Sequence, residues 1–234
     1  MIRSILLLVF MVCIAGQPFA QTSTDVAYQD YGKVLAALSD LQATQYTVNL
    51  ELYEGIKEQE LVGESEFTIW NGVNGEAFFS SADVTYLATD NRVIFINHVQ
   101  KQVQAFHPDS LDYDPPAILA EDLRPIMEKL RLFPLRYNPG DGQSAVSFCA
   151  PGLTNTVIKV EYDQATWLPS IMATTIDLSN APDLYYEYDQ HHIVAKYGNY
   201  VAQPDMPITP EMVVKTNGES PRLTSEFAEY SLVD

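Results

Sequence analysis

The sequence predicts an α+β fold: one large antiparallel sheet with an N-terminal helix and an inserted helical segment. Apolar residues recur every three to four positions near the start of the chain, and the period changes to two from Tyr46 onward. Strand-length runs then follow at hairpin spacing, separated by Asn-Gly pairs and short polar links. Fourteen Tyr, ten Phe and fourteen Pro among 234 residues suit strands joined by firm turns.

Met1–Ala20 reads as a secretory leader and is set apart from the fold. Arg3 is its basic head, Ile5–Ile14 its apolar stretch and Ala15–Ala20 a small-residue exit. Cleavage is expected after Ala20. Pro18, three residues before the cut, leaves Ala15 and Gly16 as alternatives. The apolar run is roughly ten residues against the ~20 that span a bilayer. The mature chain is therefore expected to have no transmembrane segment, an uncleaved anchor being the rival reading. Val12 before Cys13 is too large for a lipoprotein signal. Residues 21–234 then read as a single domain, located in the periplasm or otherwise exported, with Cys149 as its one cysteine and no possible internal disulfide. At ~214 residues it can bury about 70% of its unfolded surface without such a bridge.

In Thr22–Ala43, Tyr31, Val34, Leu35, Leu38 and Leu41 form one stripe of a helix, which Thr24 or Asp25 can cap. Val48, Leu50 and Leu52 alternate with Thr47, Asn49 and Glu51 in a half-buried strand. Leu61–Trp70 follows it and ends at Asn71-Gly72 and Asn74-Gly75. Glu76–Ser80, Thr85–Ala88, Val93–Asn97 and Gln102–Phe106 complete an antiparallel meander. Pro108, Pro115 and Pro116 stop it. Ala117–Leu132 has a helical pattern, broken or kinked at Pro125. Phe133–Gly142 reads as a Pro- and Gly-rich loop. Ile158, Val160 and Tyr162 begin a strand that turns at Asp163–Thr166 and returns over Trp167–Ile176. Leu184–Tyr188 and Ile193–Tyr200 form a further hairpin, Gln203–Pro210 a link, and Leu223–Val233 a last edge strand.

Thirteen Lys and Arg against thirty-one Asp and Glu give a formal charge of -18, and the loss of Arg3 with the leader takes it to -19. Such a chain repels phosphate backbones, which excludes nucleic acid as a partner, and stable docking on anionic lipid is disfavoured for the same reason. No motif for a nucleophilic serine, a zinc protease, a P-loop or a dinucleotide is present, so no cofactor and no enzyme activity are expected. His191 and His192 are strand neighbours that point apart and make poor joint metal ligands. His98 and His107 flank a strand and could approach a distant group, which no sequence pattern identifies. Asp109, Asp112 and Asp114 lack the alternation and glycine of a calcium loop. Cys149 has no neighbour that would lower its pKa. Tyr185, Tyr186, Tyr188, Tyr197 and Tyr200 read first as cross-strand pairs and second as an aromatic rim for a ligand.

Two segments carry a resemblance. Ala88–Asn97 followed by Lys101-Gln102-Val103 sends a polar turn into an apolar strand, a short link and a further strand. Ile158–Pro169 opens its turn at Asp163 and restarts a strand at Leu168-Pro169. With the helix at Tyr31–Leu41, these segments resemble the periplasmic lipoprotein-carrier superfamily of LolA and LolB over most of Val26–Ile176. No position matches that family's cavity-lid arginine. The resemblance implies a large curved antiparallel sheet, an incomplete β-barrel, whose apolar hollow the helices cover. Val48, Leu50, Leu52, Phe67, Ile69, Phe78, Ile94 and Ile96 are the candidates for its lining, the alternative being that they fill an ordinary core. The expected function is a non-enzymatic exported carrier or chaperone-like binder of lipophilic cargo, lipid or lipoprotein. The alternative is a cell-envelope module that binds a protein partner.

Overall fold

The computed structural model describes residues 24–54, 60–73, 75–108, 120–129, 131–149, 156–177, 190–203, 205–216 and 221–233. The leader, the Asp109–Asp114 group and the tyrosines at 185, 186 and 188 lie outside them. The elements run α1 (24–39), β1 (Thr44–Glu54), β2 (Glu60–Asn71), β3 (Ala77–Ser80), β4 (Val84–Thr89), β5 (Arg92–Asn97), β6 (Gln102–Phe106) and α2 (Ala120–Lys129). There follow β7 (Phe133–Gly140), β8 (Gln143–Cys149), β9 (Thr156–Asp163), β10 (Pro169–Asp177), β11 (Gln190–Ala202), α3 (Pro210–Val213), β12 (Val214–Thr216), β13 (Pro221–Leu223) and β14 (Ser231–Val233).

The chain divides into two compact units. One holds α1, α2, β7–β10 and the first three residues of β11, and the other holds β1–β6, the rest of β11 and all that follows. The strand order is β14-β6-β5-β4-β3-β2-β1-β11 in the second unit and continues as β11-β10-β9-β8-β7 in the first. The sheet is thus large and antiparallel, save for β14, which runs parallel to β6. Its order ends at β14 and β7, without closure into a barrel.

In the first unit the helices cover one side of β8 and β9. Ser144, Val146 and Phe148 on β8 stand opposite Tyr162, Val160 and Ile158 on β9, so these side chains share a face. Ala27, Tyr31 and Val34 of α1 and Met127 of α2 pack on it, with the Tyr31 and Phe148 rings 5.2 Å apart. Asp30 lies in the same buried stripe, 3% exposed. Its Oδ2 accepts from Arg136 Nε at 2.6 Å and from the Tyr162 hydroxyl at 2.7 Å, which satisfies a carboxylate that burial alone would disfavour. Burial first, and then the bond to Asp30, raises the pKa of the Tyr162 phenol. The turn before β10 is held by the Asp163 carboxylate, which accepts from the amides of Ala165 and Thr166. It places Trp167 at φ 62, where a bulky residue is strained, and the Trp167 ring stacks on Tyr162 at 5.3 Å with Lys33 Nζ 4.3 Å above it.

Three expectations are corrected. Phe133–Gly142 is not a loop: it forms β7 and the turn into β8. Pro134 and Pro139 fit because β7 is an edge strand, where a missing amide breaks no ladder. β8, left without an element by the sequence, is buried over both faces from Ser144 to Phe148, so no polar-apolar alternation marks it. Leu223–Val233 is not one strand but β13, a 3-10 turn at Ser225–Phe227, and β14. The inserted helix keeps Pro125 in its interior and ends at Lys129.

Candidate functional site

The meander β1–β6 has two faces, which its register assigns residue by residue. Directly opposed residues of an antiparallel pair point to the same side. Trp70, Phe78, Leu87, Ile94 and Ala105 are opposed in succession from β2 to β6, as are Thr85, Ile96 and Val103. We term this the Trp70 face. The other side carries Val48 opposite Phe67, Tyr46 opposite Ile69, and then Phe79, Tyr86 and Phe95 in succession. This is the Phe67 face.

The eight candidate lining residues divide between the two. Phe78, Ile94 and Ile96 lie on the Trp70 face, whereas Val48, Leu50, Leu52, Phe67 and Ile69 share the Phe67 face. The structure therefore brings five together and separates three. Strand alternation within each run was legible, but which side of one strand faces which side of the next depends on register.

The Trp70 face is filled. Trp70, Phe78, Leu87, Ile94, Ile96 and Val103 are buried against Val213 and Val214, with Met206, Ile208, Leu223, Phe227, Tyr230 and Leu232 packed around them. The C-terminal segment supplies all eight of these covering residues. Trp70 Nε1 donates to the Gln203 carbonyl at 2.7 Å. A hydroxyl–imidazole chain fastens the far end: Ser80 Oγ meets Thr85 Oγ1 at 2.8 Å, Thr85 meets His98 Nε2 at 2.9 Å, and His98 Nδ1 meets the Tyr230 hydroxyl at 2.9 Å. Thr85 is 2% exposed, so the middle of this chain is closed to solvent and ties sheet to segment. At the β1 end, Lys196 and Tyr53 donate to Glu51 at 2.5 and 2.7 Å, and the bond to Lys196 is the largest influence holding the Glu51 carboxyl below its usual range.

The Phe67 face differs in chemistry. From Thr44 to Phe106 its paired positions are aromatic, aliphatic, small, or uncharged polar, save for Glu54 opposite Glu60 at the far end of β1 and β2. Phe67, Ile69, Phe79, Tyr86 and Phe95 are half-buried, while Tyr46, Val48 and Val93 are buried. The Phe67 and Phe79 rings stack at 5.0 Å. Tyr46 stacks with Tyr200 at 5.3 Å and with Tyr197 at 6.3 Å, which extends the aromatic surface onto β11. Burial raises the phenol pKa of both Tyr46 and Tyr200, so they stay neutral across the ordinary pH range. Sequence reasoning missed Tyr46, Phe79, Tyr86 and Phe95, although the alternation of Phe79 and Tyr86 with buried neighbours was there to read.

Elsewhere the chemistry is sparse. A hollow of about 300 Å³ in the second unit is lined by Glu211, Met212, Lys215, Thr224, Ser225 and Glu226, a mixed-charge surface with no aromatic side chain. Among the described residues no group of three His, Cys, Asp or Glu is placed to hold a metal ion, and no helix is long and apolar enough to cross a membrane. His192 Nδ1 lies 3.0 Å from Thr175 Oγ1, and Cys149 is half-buried.

No protein-family model and no curated protein matches the chain. Solved structures do resemble it, one of them named as a LolA superfamily protein. A domain from Vibrio parahaemolyticus, named for outer-membrane lipoprotein sorting, is 13% identical and covers 80% of this chain and 94% of its own. A DUF1329 family protein from Desulfovibrio piger is 11% identical, with 81% and 96% covered. A LolA superfamily protein from Nitrosomonas europaea is 8% identical, with 79% and 95% covered. Each superposes at a TM-score of 0.27, so function must be argued from this chain's own residues.

Proposed function

We propose that the protein is a non-enzymatic, exported carrier or chaperone-like binder of lipophilic cargo, holding acyl chains of a lipid or lipoprotein against the Phe67 face. One observation carries this: a chain of charge -18 keeps the Phe67 face of the β1–β6 meander free of charge except at the Glu54–Glu60 end. Uncharged, half-buried aromatic and aliphatic surface gains from an apolar ligand about 0.8 kcal/mol per methylene buried. Val48, Leu50, Leu52, Phe67 and Ile69 would contact the chain, joined by Phe79, Tyr86 and Phe95. Phe78, Ile94 and Ile96 would support them from the filled side. The leader expected at Met1–Ala20 would deliver such a carrier to the envelope.

The test is uptake of a fluorescent fatty-acid probe, together with native mass spectrometry for lipid that co-purifies. The wild-type protein should bind the probe, and Phe67→Asp should weaken binding at least tenfold while the thermal transition remains cooperative. Absence of both bound lipid and probe uptake, or a Phe67→Asp variant that binds like wild type, would overturn the proposal.

A further inference from the structure

Beside the α2–β7 corner of the first unit the charge balance of the chain reverses. Residues 124–136 contain Arg124, Lys129, Arg131 and Arg136 against one acid, Glu128. Arg124 is engaged by Asp25 and Glu128, and Arg136 by Asp30. Lys129 and Arg131 are exposed and make no ion pair among the described residues. Immediately after them, Phe133, Leu135 and Tyr137 alternate along the edge strand with 57%, 58% and 42% of their surface exposed. Two cations followed by three protruding apolar side chains on one side of a strand match the interface of an anionic bilayer.

Arg131 adds an independent sign. The amide of Leu132 donates to the Met127 carbonyl and that of Arg131 to the Glu128 carbonyl, so α2 closes in a Schellman motif with Arg131 at φ 56. Glycine suits that left-handed position best, and the chain instead places an exposed cation there. A protein strand is the less suitable occupant, because Pro134 and Pro139 remove two amide donors from the eight-residue edge. We infer that Lys129, Arg131, Phe133, Leu135 and Tyr137 form a docking patch for an anionic lipid surface. The acidity of the whole chain does not prevent this, since at physiological salt only charges within about 8 Å of the lipid act strongly. It makes the contact weak and reversible. The patch is independent of the cargo proposed for the Phe67 face.

The test is flotation of the protein, expressed with its own leader and purified, on phosphatidylcholine vesicles with and without phosphatidylglycerol. Wild type should float with the phosphatidylglycerol vesicles and lose that binding as salt is raised. Arg131→Gly should bind about fivefold more weakly while melting no lower, since it relieves backbone strain. Phe133→Ser with Leu135→Ser should reduce binding more than tenfold and leave fatty-acid probe uptake unchanged. Equal binding to both vesicle types, no binding by wild type, variants that bind like wild type, or capture of a protein strand by β7 in place of lipid would each overturn the inference.

Discussion

The Phe67 face of the β1–β6 meander holds more large apolar side chains than the Trp70 face, yet it buries them less completely. On the Trp70 face, residues from Met206 to Leu232 return over the sheet and close it with aliphatic and aromatic side chains. On the Phe67 face, Phe67 stacks on Phe79 and Tyr46 on Tyr200, and all the phenylalanines and tyrosines named there but Tyr46 remain half-buried. One face is core, and the other keeps most of its large side chains half-buried. Apolar pattern alone therefore does not define a binding face. The proposal for the Phe67 face rests instead on apolar surface, charged only at its Glu54–Glu60 end, that stays partly exposed.

The largest expected effect falls on the filled face. Trp70→Ala removes a side chain 2% exposed and its bond to Gln203, and should cost about 3–5 kcal/mol in urea unfolding. Asp30→Ala, in the first unit, should cost about 2 kcal/mol by leaving the buried Tyr162 hydroxyl without its acceptor, and Asp30→Asn should recover part of that. Phe79→Ala on the Phe67 face should cost only about 1–2 kcal/mol, because a half-buried ring loses less than a fully buried one. Were Phe79→Ala as damaging as Trp70→Ala, the Phe67 face would be a second core and the contrast would fail.

The smallest effect concerns pH. Bonding to Lys196, and then to Tyr53, lowers the Glu51 carboxyl below its ordinary value. A depressed carboxylate stabilises the fold at pH above its unfolded value, and the contribution disappears as pH falls through the folded value. The gap in urea midpoint between wild type and Glu51→Gln should therefore be constant near neutrality and shrink below the ordinary carboxylate range. A gap that does not change with pH would remove Glu51 from the forces that hold β1 to β11.

Much of the meander could be read from local signals. The period-two run around Val48–Leu52, the Asn-Gly turn at 71–72 and the strand Gln102–Phe106 fall where the structure has β1, the end of β2 and β6. β7 and β8 could not be read in this way, because Pro134 and Pro139 look like breakers until the strand is known to be an edge, and Ser144–Phe148 is buried on both sides. The division of the candidate site was hidden for a different reason. Phe67 and Phe78 look alike in sequence, and only the pairing of Phe78 with Trp70 places it on the filled side. Arg131 gave no sequence signal, since a left-handed conformation at a helix end is expected of glycine.

The central claim, that cargo lies on the Phe67 face of the meander, is tested most directly by photocrosslinking a diazirine-bearing fatty acid to the protein and mapping the labelled peptides. Labels should fall on Val48–Leu52, Phe67–Ile69, Phe79, Tyr86 and Phe95, and unlabelled fatty acid should compete them away. Labels confined to Met206–Leu232 and the Trp70 face, or scattered labels that no competitor removes, would contradict it.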